Sequence, residues 1–484
     1  MERLVNSDTE HLIVDLDGTL ISSDLLIESA VKTLMDKWYL APFVVLKALF
    51  VLVTSGLSGL KIFFAEQVKI NPSTLPYRLE VIDFIKDIKS QGGKKVFLIS
   101  AAAQPFVTQI NQHLKLFDGV YGTTLGNNLK SSRKRDFIVK ELKISEYDYI
   151  GDSVADIPVW LSAKNRFVIC SESKFANLTS KVESLNHILS VDEPKWRLVF
   201  KSLRIHQWAK NILIFVPLLT AHKWNDLIYL YDALLGFFSF SICASAVYII
   251  NDLADLESDR LHRTKKHRPF ASGQLPIIVG AIIAPVLVVL GLSSAYAISK
   301  DFFLIVLFYL FLTTLYSFLL KRIALIDIII LSTLYTLRLF AGAAIVLAPI
   351  SQWLAAFSMF IFFSLAALKR FIEVSDARRT DKKEIKGRGY TANDLEMISH
   401  FGVSSGLVAV LVLALYVNSD EIVQLYKHPQ RLWILCPLFF YWITRLWLKA
   451  SRNKVHDDPI IFAIKDKGSL VTGLLVVLSV ILSL

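Results

Sequence analysis

The chain has 484 residues, of which 54% are hydrophobic and 20% charged. That is too apolar for an ordinary soluble protein and long enough for more than one domain. A formal net charge of +11 in so apolar a chain reads as cytoplasmic loops and lipid contact, not as nucleic-acid binding. The cysteines, Cys170, Cys243 and Cys436, lie far apart without metal-ligand spacing, which argues against a disulfide framework or a zinc site. The opening MERLVNSDTEHLIVDLDGTL is too charged for a signal peptide.

Residues 1–190 alternate short apolar runs with polar helical patterns, the signature of an α/β domain. HLIVDLDGTL reads as a buried strand ending in Asp15 and Asp17, KKVFLISAAA as a second ending in Ser100, and YDYIGDSVADIPVW as a third ending in Asp152 with Asp156 beyond. Carboxylates at the C-terminal ends of strands in an open α/β sheet meet in one crevice. Two aspartates two residues apart point the same way from a strand, and a third nearby completes a hard-oxygen site for Mg2+. One carboxylate can attack phosphorus while its partner acts as general acid/base. A serine and a lysine would hold the phosphoryl oxygens, and NNLKSSRKRDFIV offers both Lys130 and Lys134.

The insert at about 24–90 has the length of a helical cap. Its WYLAPFVVLKALFVLV stretch, interrupted by Lys47, is short for a span. It suits either the core of a cap helix or a face leaning on the bilayer.

The order DxDGT, strand-end Ser, Lys, GDxxxD resembles the haloacid dehalogenase superfamily, in its phosphoserine-phosphatase-like branch. The resemblance implies a Rossmann-like α/β domain with Asp15 as nucleophile and Asp17 as acid/base. It further implies Asp152 as metal ligand, Asp156 as support and Ser100 as phosphate contact, with Mg2+ held by the set Asp15, Asp17, Asp152 and Asp156. Lys134 fits the family's spacing better than Lys130.

Residues 191–206 read as a linker helix. Trp196, Val199, Phe200 and Leu203 share one face, a pattern suited to a bilayer surface. From 207 to 484 the chain is all-α and polytopic, with about nine candidate spans: 209–222, 228–250, 274–299, 302–320, 323–347, 352–368, 396–417, 430–448 and 468–484. Loops after the even spans carry about twenty Lys and Arg, the odd ones only a few. The positive-inside rule then puts the N-terminal domain in the cytoplasm and the C-terminus outside.

Between the second and third spans lies NDLADLESDRLHRTKKHRPFASG. Asp252, Asp255 and Asp259 fall on one helical face beside Asn251, followed by Lys265 and Arg268. Acids that collect Mg2+ beside bases that collect phosphates make a diphosphate site. A second polar group is spread over Tyr316, Lys321, Lys369, Arg370, Glu373, Asp376, Asp381, Arg388 and Tyr390, with Lys210 earlier in the chain. Arg338 lies deep in the fifth span, where a guanidinium faces either a substrate phosphate or a structural partner.

This region resembles the UbiA superfamily of intramembrane prenyltransferases. Its second acidic motif lacks DxxxD, leaving Glu373, Asp376 or Asp381 to complete it. RIHQWAKNILIFVPLL, the acidic strip and KRFIE are similar to the decaprenyl-phosphate phosphoribosyltransferase branch. That implies phosphoribosyl diphosphate (PRPP) and a membrane-borne polyprenyl phosphate as substrates. Asp252 and Asp255 are then catalytic, and Asp252, Asp255, Asp259 and Glu373 hold Mg2+. Lys210, Asn251, Lys265, Arg268, Tyr316, Lys321, Arg338, Lys369, Arg370, Arg388 and Tyr390 bind substrate. The fused domain would then dephosphorylate the lipid-linked phosphoribose, toward an arabinose precursor of the cell wall. The alternatives are prenylation of an aromatic acceptor beside an unrelated phosphatase, or a non-catalytic lipid transporter or binder.

Overall fold

The computed structural model describes residues 9–90, 93–189, 193–349, 351–379, 388–455 and 458–484. The chain forms two compact units. The first joins Met1–Leu203 to Tyr248–Ala284, and the second joins Arg204–Val247 to Pro285–Leu484. The acidic strip therefore belongs with the N-terminal region, whereas a reading of the sequence alone divides the chain near residue 190.

The first unit is built on a six-stranded parallel sheet in the order β3-β2-β1-β4-β5-β6. The strands are β1 His11–Val14, β2 Lys95–Ala103, β3 Gly119–Thr123, β4 Asp148–Gly151, β5 Asn165–Cys170 and β6 Leu185–Leu189. In β1, Leu12, Ile13 and Val14 are fully buried. Leu12 and Val14 enter one apolar cluster and Ile13 another, because alternate residues face opposite sides of a sheet covered on both faces. The strand order reverses direction at β1, so its C-terminal end and that of β4 bound the switch-point crevice.

After β1 come two helices of the insert. Helix α1, Leu25–Asp36, starts at Asp24, whose carboxylate accepts from the backbone N–H groups of Leu26 and Ile27. Helix α2, Ala41–Gln67, carries Pro42 in its first turn and is interrupted by Gly56 at φ 62, ψ −164. That conformation is open to glycine alone. The apolar stretch foreseen as too short for a span is thus part of a longer helical element, because helical residues continue beyond Val53. The linker helix is Lys195–Leu203, with Leu198 and Ser202 buried and Trp196 and Phe200 exposed.

Three contacts fix the strip within this unit. Arg260 donates to both carboxylate oxygens of Glu28, at 2.6 and 3.0 Å, and both side chains are 5% exposed. Lys32 pairs with Glu257 at 2.5 Å. Ser22 Oγ donates to the carbonyl of Ser272 at 3.4 Å.

Among the described residues, seven helices are long and apolar enough to cross a membrane. One is Trp38–Gln67. The others are Leu227–Ala254, Ile277–Ile298, Lys300–Phe318, Ile326–Val346, Gln352–Arg379 and Ala392–Val417. An eighth candidate is the pair Pro459–Lys465 and Lys467–Ser483, bent by 82°. The set differs from the nine expected spans at three places: Trp38–Gln67 is added, and two of the nine are not single long helices. Residues 209–222 do not form one helix: Ile205–Phe215 is 3-10 and Val216–Thr220 is a short α-helix beginning with Pro217 in its first turn. Buried Lys210 and Asn211 give that segment polar groups that demand partners inside the fold. Residues 430–448 divide into a 3-10 segment, Pro429–Ile434, and a 17-residue helix, Leu435–Ser451.

Candidate functional site

The crevice is assembled from strand ends. Asp15 directly follows β1, and its backbone N–H donates to the carbonyl of Ile150 in β4 at 3.1 Å. Its Oδ1 accepts from Leu16 N and lies 2.8 Å from Lys134 Nζ. Lys134, on the short helix Ser132–Asp136, is buried. It donates to Tyr149 OH at 3.0 Å, and that hydroxyl donates to Asp156 at 2.6 Å. Asp156 also accepts from the backbone N–H groups of Asp152 and Ser153, so its carboxylate is held from several sides. Gly18 leaves the turn after β1 at φ +79, where an added Cβ would come within 2.7 Å of the Asp152 carboxylate.

Ligand oxygens of Asp15, Asp152 and Asp156 lie within 4.8 Å of one another. An all-carboxylate set of this kind suits a hard divalent cation such as Mg2+. Burial pushes the Asp15 carboxyl up to about 7 against the pull of Lys134, and it raises Asp152 as well. Burial opposes the charge on Lys134, but Asp15 and Asp156 keep its ammonium above the usual range. Crowded buried acids with raised affinity for protons are also acids with unused negative charge for a metal.

Asp17 stands outside that trio. Its Oδ1 accepts from Leu25 N at 3.1 Å, and burial with Asp24 nearby holds its carboxyl well above the usual carboxylate range. Ser100 is fully buried, and its Oγ accepts from Ala102 N at 3.0 Å. Of the two candidate lysines, Lys134 makes the ion pair with Asp15, while both line the cavity above the carboxylates. That cavity holds about 860 Å3. It brings in residues not foreseen from the sequence. Lys61 of α2 donates to Ala101 O and Asn128 Oδ1, and Arg78 Nε donates to Gly18 O. Ser23 lines the cavity with a buried hydroxyl that has no partner among the described residues. The wall is completed by residues 273–277, at the end of the strip.

The strip itself breaks its helix at Asp255, between Leu227–Ala254 and Leu256–Leu261. The break leaves Asn251 and Asp255 half-buried, while Arg268 joins Asp252 and Asp259. One guanidinium nitrogen lies 3.1 Å from Asp252 and 2.6 Å from Asp259. Lys265 stands 3.9 Å from Asp259. Burial raises the Asp259 carboxyl despite both bases. Among the described residues these acids form no second group of three converging ligands. As arranged, the strip holds a guanidinium where the sequence suggested a metal.

In the second unit, Asp327 and Arg370 are fully buried and pair at 2.6 Å. Arg370 also pairs with Glu373 and donates to Tyr316 OH at 3.1 Å. Arg388 donates to the same hydroxyl at 2.7 Å. Tyr390 OH donates to Asp327 at 2.8 Å and accepts from Leu325 N. Lys210 and Lys369 meet at Asp458, 2.6 and 3.3 Å away. Lys321 sits half-buried in the turn Leu320–Arg322. Asp376 pairs with Arg379 at the surface, and Asp381 lies outside the described residues.

Residues 212–464 match the family model of the UbiA prenyltransferase family, just over half of the chain. The chain belongs to the UbiA prenyltransferase family. It is 36% identical over 473 residues to the uncharacterized protein y4nM of Sinorhizobium fredii, covering 96% of this chain and 89% of that one. It is 33% identical over 205 residues to decaprenyl-phosphate phosphoribosyltransferase of Mycobacterium tuberculosis, covering 41% of this chain and 68% of that enzyme. A solved UbiA homolog from Archaeoglobus fulgidus bound to GPP and Mg2+ aligns with a TM-score of 0.46 at 17% identity, over 58% of this chain and 98% of that one. Family membership and the long apolar helices make the chain a multi-pass membrane protein.

Two further features of the UbiA region concern its buried cations. Arg338 donates from Nε to Asn211 at 2.8 Å and lies between the rings of Phe240, Tyr309 and Tyr335 at 5.2 to 5.4 Å. Its guanidinium also donates to the carbonyl of Leu334; among the described residues no carboxylate pairs with it. An apolar cavity of about 670 Å3, lined by Phe362, Phe439 and Trp442 among others, has Lys210 as its one charged lining residue.

Proposed function

We propose that the chain carries out two consecutive steps on one lipid. It transfers 5-phosphoribose from PRPP to a polyprenyl phosphate, and its N-terminal region then removes the 5-phosphate as a haloacid dehalogenase-type phosphatase. The observation that carries this reading is that Gly273, the last residue of the strip, and residues 274–277 after it line the same cavity as Asp15, Asp17 and Lys134. The likeness to a phosphoribosyltransferase at 33% identity supports the donor. The Lys and Arg excess in alternate loops supports a cytoplasmic N-terminal region in a bacterial inner membrane, with the C-terminus outside.

In the first step a lipid phosphate oxygen attacks C1 of the ribose, and the C1–O bond to diphosphate breaks. Arg370 and Arg388 are the bases assigned to the diphosphate, and Lys210 and Lys369 to the lipid phosphate. The Asp252, Asp255 and Asp259 set, as it stands around Arg268, does not fit a metal.

In the second step Asp15 attacks phosphorus and the bond to the ribose C5 oxygen breaks. Asp17, held protonated by burial, gives its proton to that oxygen and then takes one from the water that hydrolyses the aspartyl phosphate. Lys134 balances charge at Asp15. A Mg2+ bound by Asp15, Asp152 and Asp156 would neutralise the phosphoryl oxygens.

Mass spectrometry of lipids after incubation with Mg2+, PRPP and polyprenyl phosphate tests both steps. Wild type should yield polyprenyl-phosphoryl ribose. Asp15→Asn should stop at the species one phosphate heavier, its dephosphorylation slowed by roughly four orders of magnitude or more. A wild type that also stops there would remove the second step, and no turnover of PRPP would remove the first.

A further inference from the structure

Helix α2 is divided at Gly56 into two parts with opposite surroundings. Beyond the break, Phe63 and Phe64 are buried, and Leu57 and Lys61 line the catalytic cavity. Before it, no apolar side chain is buried and one face is open. Tyr39, Phe43, Leu46, Phe50 and Val53 are each 64 to 85% exposed. Lys47 is the one charged residue between Trp38 and Leu60, and its ammonium lies 5.6 Å over the ring of Phe63, toward the buried end. An apolar surface this continuous marks a protein or membrane contact.

The occupant follows from where the hairpin is tied. Helix α1, which leads into the exposed part, is locked to the strip through the Glu28–Arg260 and Lys32–Glu257 pairs. The strip joins the membrane-capable helices Leu227–Ala254 and Ile277–Ile298, so it lies where chain leaves the bilayer. Leu25, before the hairpin, and Val68, after it, belong to one core cluster. The chain therefore enters and leaves on the same side. The part from Ala41 to Ser55 is about 22 Å long at 1.5 Å per residue, short of the hydrocarbon thickness of about 30 Å.

We propose that residues 38–55 dip into the cytoplasmic leaflet without crossing it, and that the Gly56 break carries the same helix out of the lipid into the wall of the phosphatase cavity. Insertion stands on the exposed surface and its tether alone. Its consequence, that a lipid-borne phosphate ester reaches Asp15 along this helix, rests on the two-step reading above.

The test uses the full chain in liposomes, with Cys170, Cys243 and Cys436 replaced and one cysteine placed at Phe43, Val53 or, as a control, exposed Lys140. An environment-sensitive dye at the first two positions should be quenched by nitroxide-labelled lipid and shielded from aqueous iodide. At the control position the order should reverse. Iodide quenching at Phe43 and Val53, or cross-linking between copies there that survives lipid dilution, overturns insertion. The double variant Phe43→Asp, Val53→Asp should lower dephosphorylation of the lipid product about a hundredfold and leave hydrolysis of a small phosphate ester unchanged. Lipid quenching together with undiminished lipid turnover overturns delivery along the helix. Failure of Asp15→Asn to trap the phosphorylated lipid removes the two-step reading and leaves the quenching result standing.

Discussion

The crevice after β1 and the strip after Ala254 are both clusters of aspartates beside bases, yet their charge balance differs. In the crevice Asp15, Asp152 and Asp156 converge on one another, and Lys134 is the one buried base among them. Lys174 reaches Asp152 only from the surface, with its side chain 45% exposed. In the strip, Arg268 bridges Asp252 and Asp259, with Lys265 close by. The network of buried Asp327 and Arg370 with half-buried Glu373 and Arg388 is balanced in the same way. Carboxylates in excess leave room for a metal ion, whereas carboxylates matched by guanidinium groups hold their own charge and are released by an anion that competes for the arginine.

The most direct way to break this comparison is Asp252→Asn. If the strip serves transfer alone, PRPP turnover should vanish while hydrolysis of a small phosphate ester stays at the wild-type rate. Equal loss of both activities would point to misfolding, and wild-type transfer would remove the strip from the reaction. Next in size is Asp17→Asn, expected to lower ester hydrolysis by about 10² to 10⁴. The sign of its pH dependence is fixed by burial, which raises the Asp17 carboxyl. The acid is present below that raised pKa and lost as pH climbs through it, so the wild-type rate should fall on the alkaline side. The variant should lack that fall, and a profile unchanged by the substitution would assign the proton to another group. The smallest effect should come from Arg268→Gln, which gives the strip the charge excess of the crevice. Electron paramagnetic resonance should then detect one more bound Mn2+ than in wild type, and an unchanged count would show that charge balance does not govern metal binding here.

Much of the crevice was legible because its residues are chained to strand ends. Asp15, Asp152 and Asp156 could be paired by motif alone, and spacing preferred Lys134 over Lys130. Lys61, Arg78 and Ser23 carry no such mark, since the insert brings them in by tertiary folding. Arg260 and Glu28 are 232 positions apart, and each alone reads as an ordinary surface charge. Asp458, which gathers Lys210 and Lys369, was missed for the same reason. The segment 209–222 was misread because apolarity measures burial and not helix type. The break of α2 at Gly56 was legible only as a glycine; the contrast between its two sides appears once burial is known.

The Glu28–Arg260 pair bears on how the gene for this chain can be divided. A cut near residue 190 respects the motifs and would still strip Glu28 of its partner. A buried carboxylate left alone costs about 3–5 kcal/mol, a large part of the stability of a typical domain. A division of the chain there would have to replace Glu28 and Lys32 with residues content in water. A chain kept whole holds that joint closed, with neither Glu28 nor Arg260 given up to water.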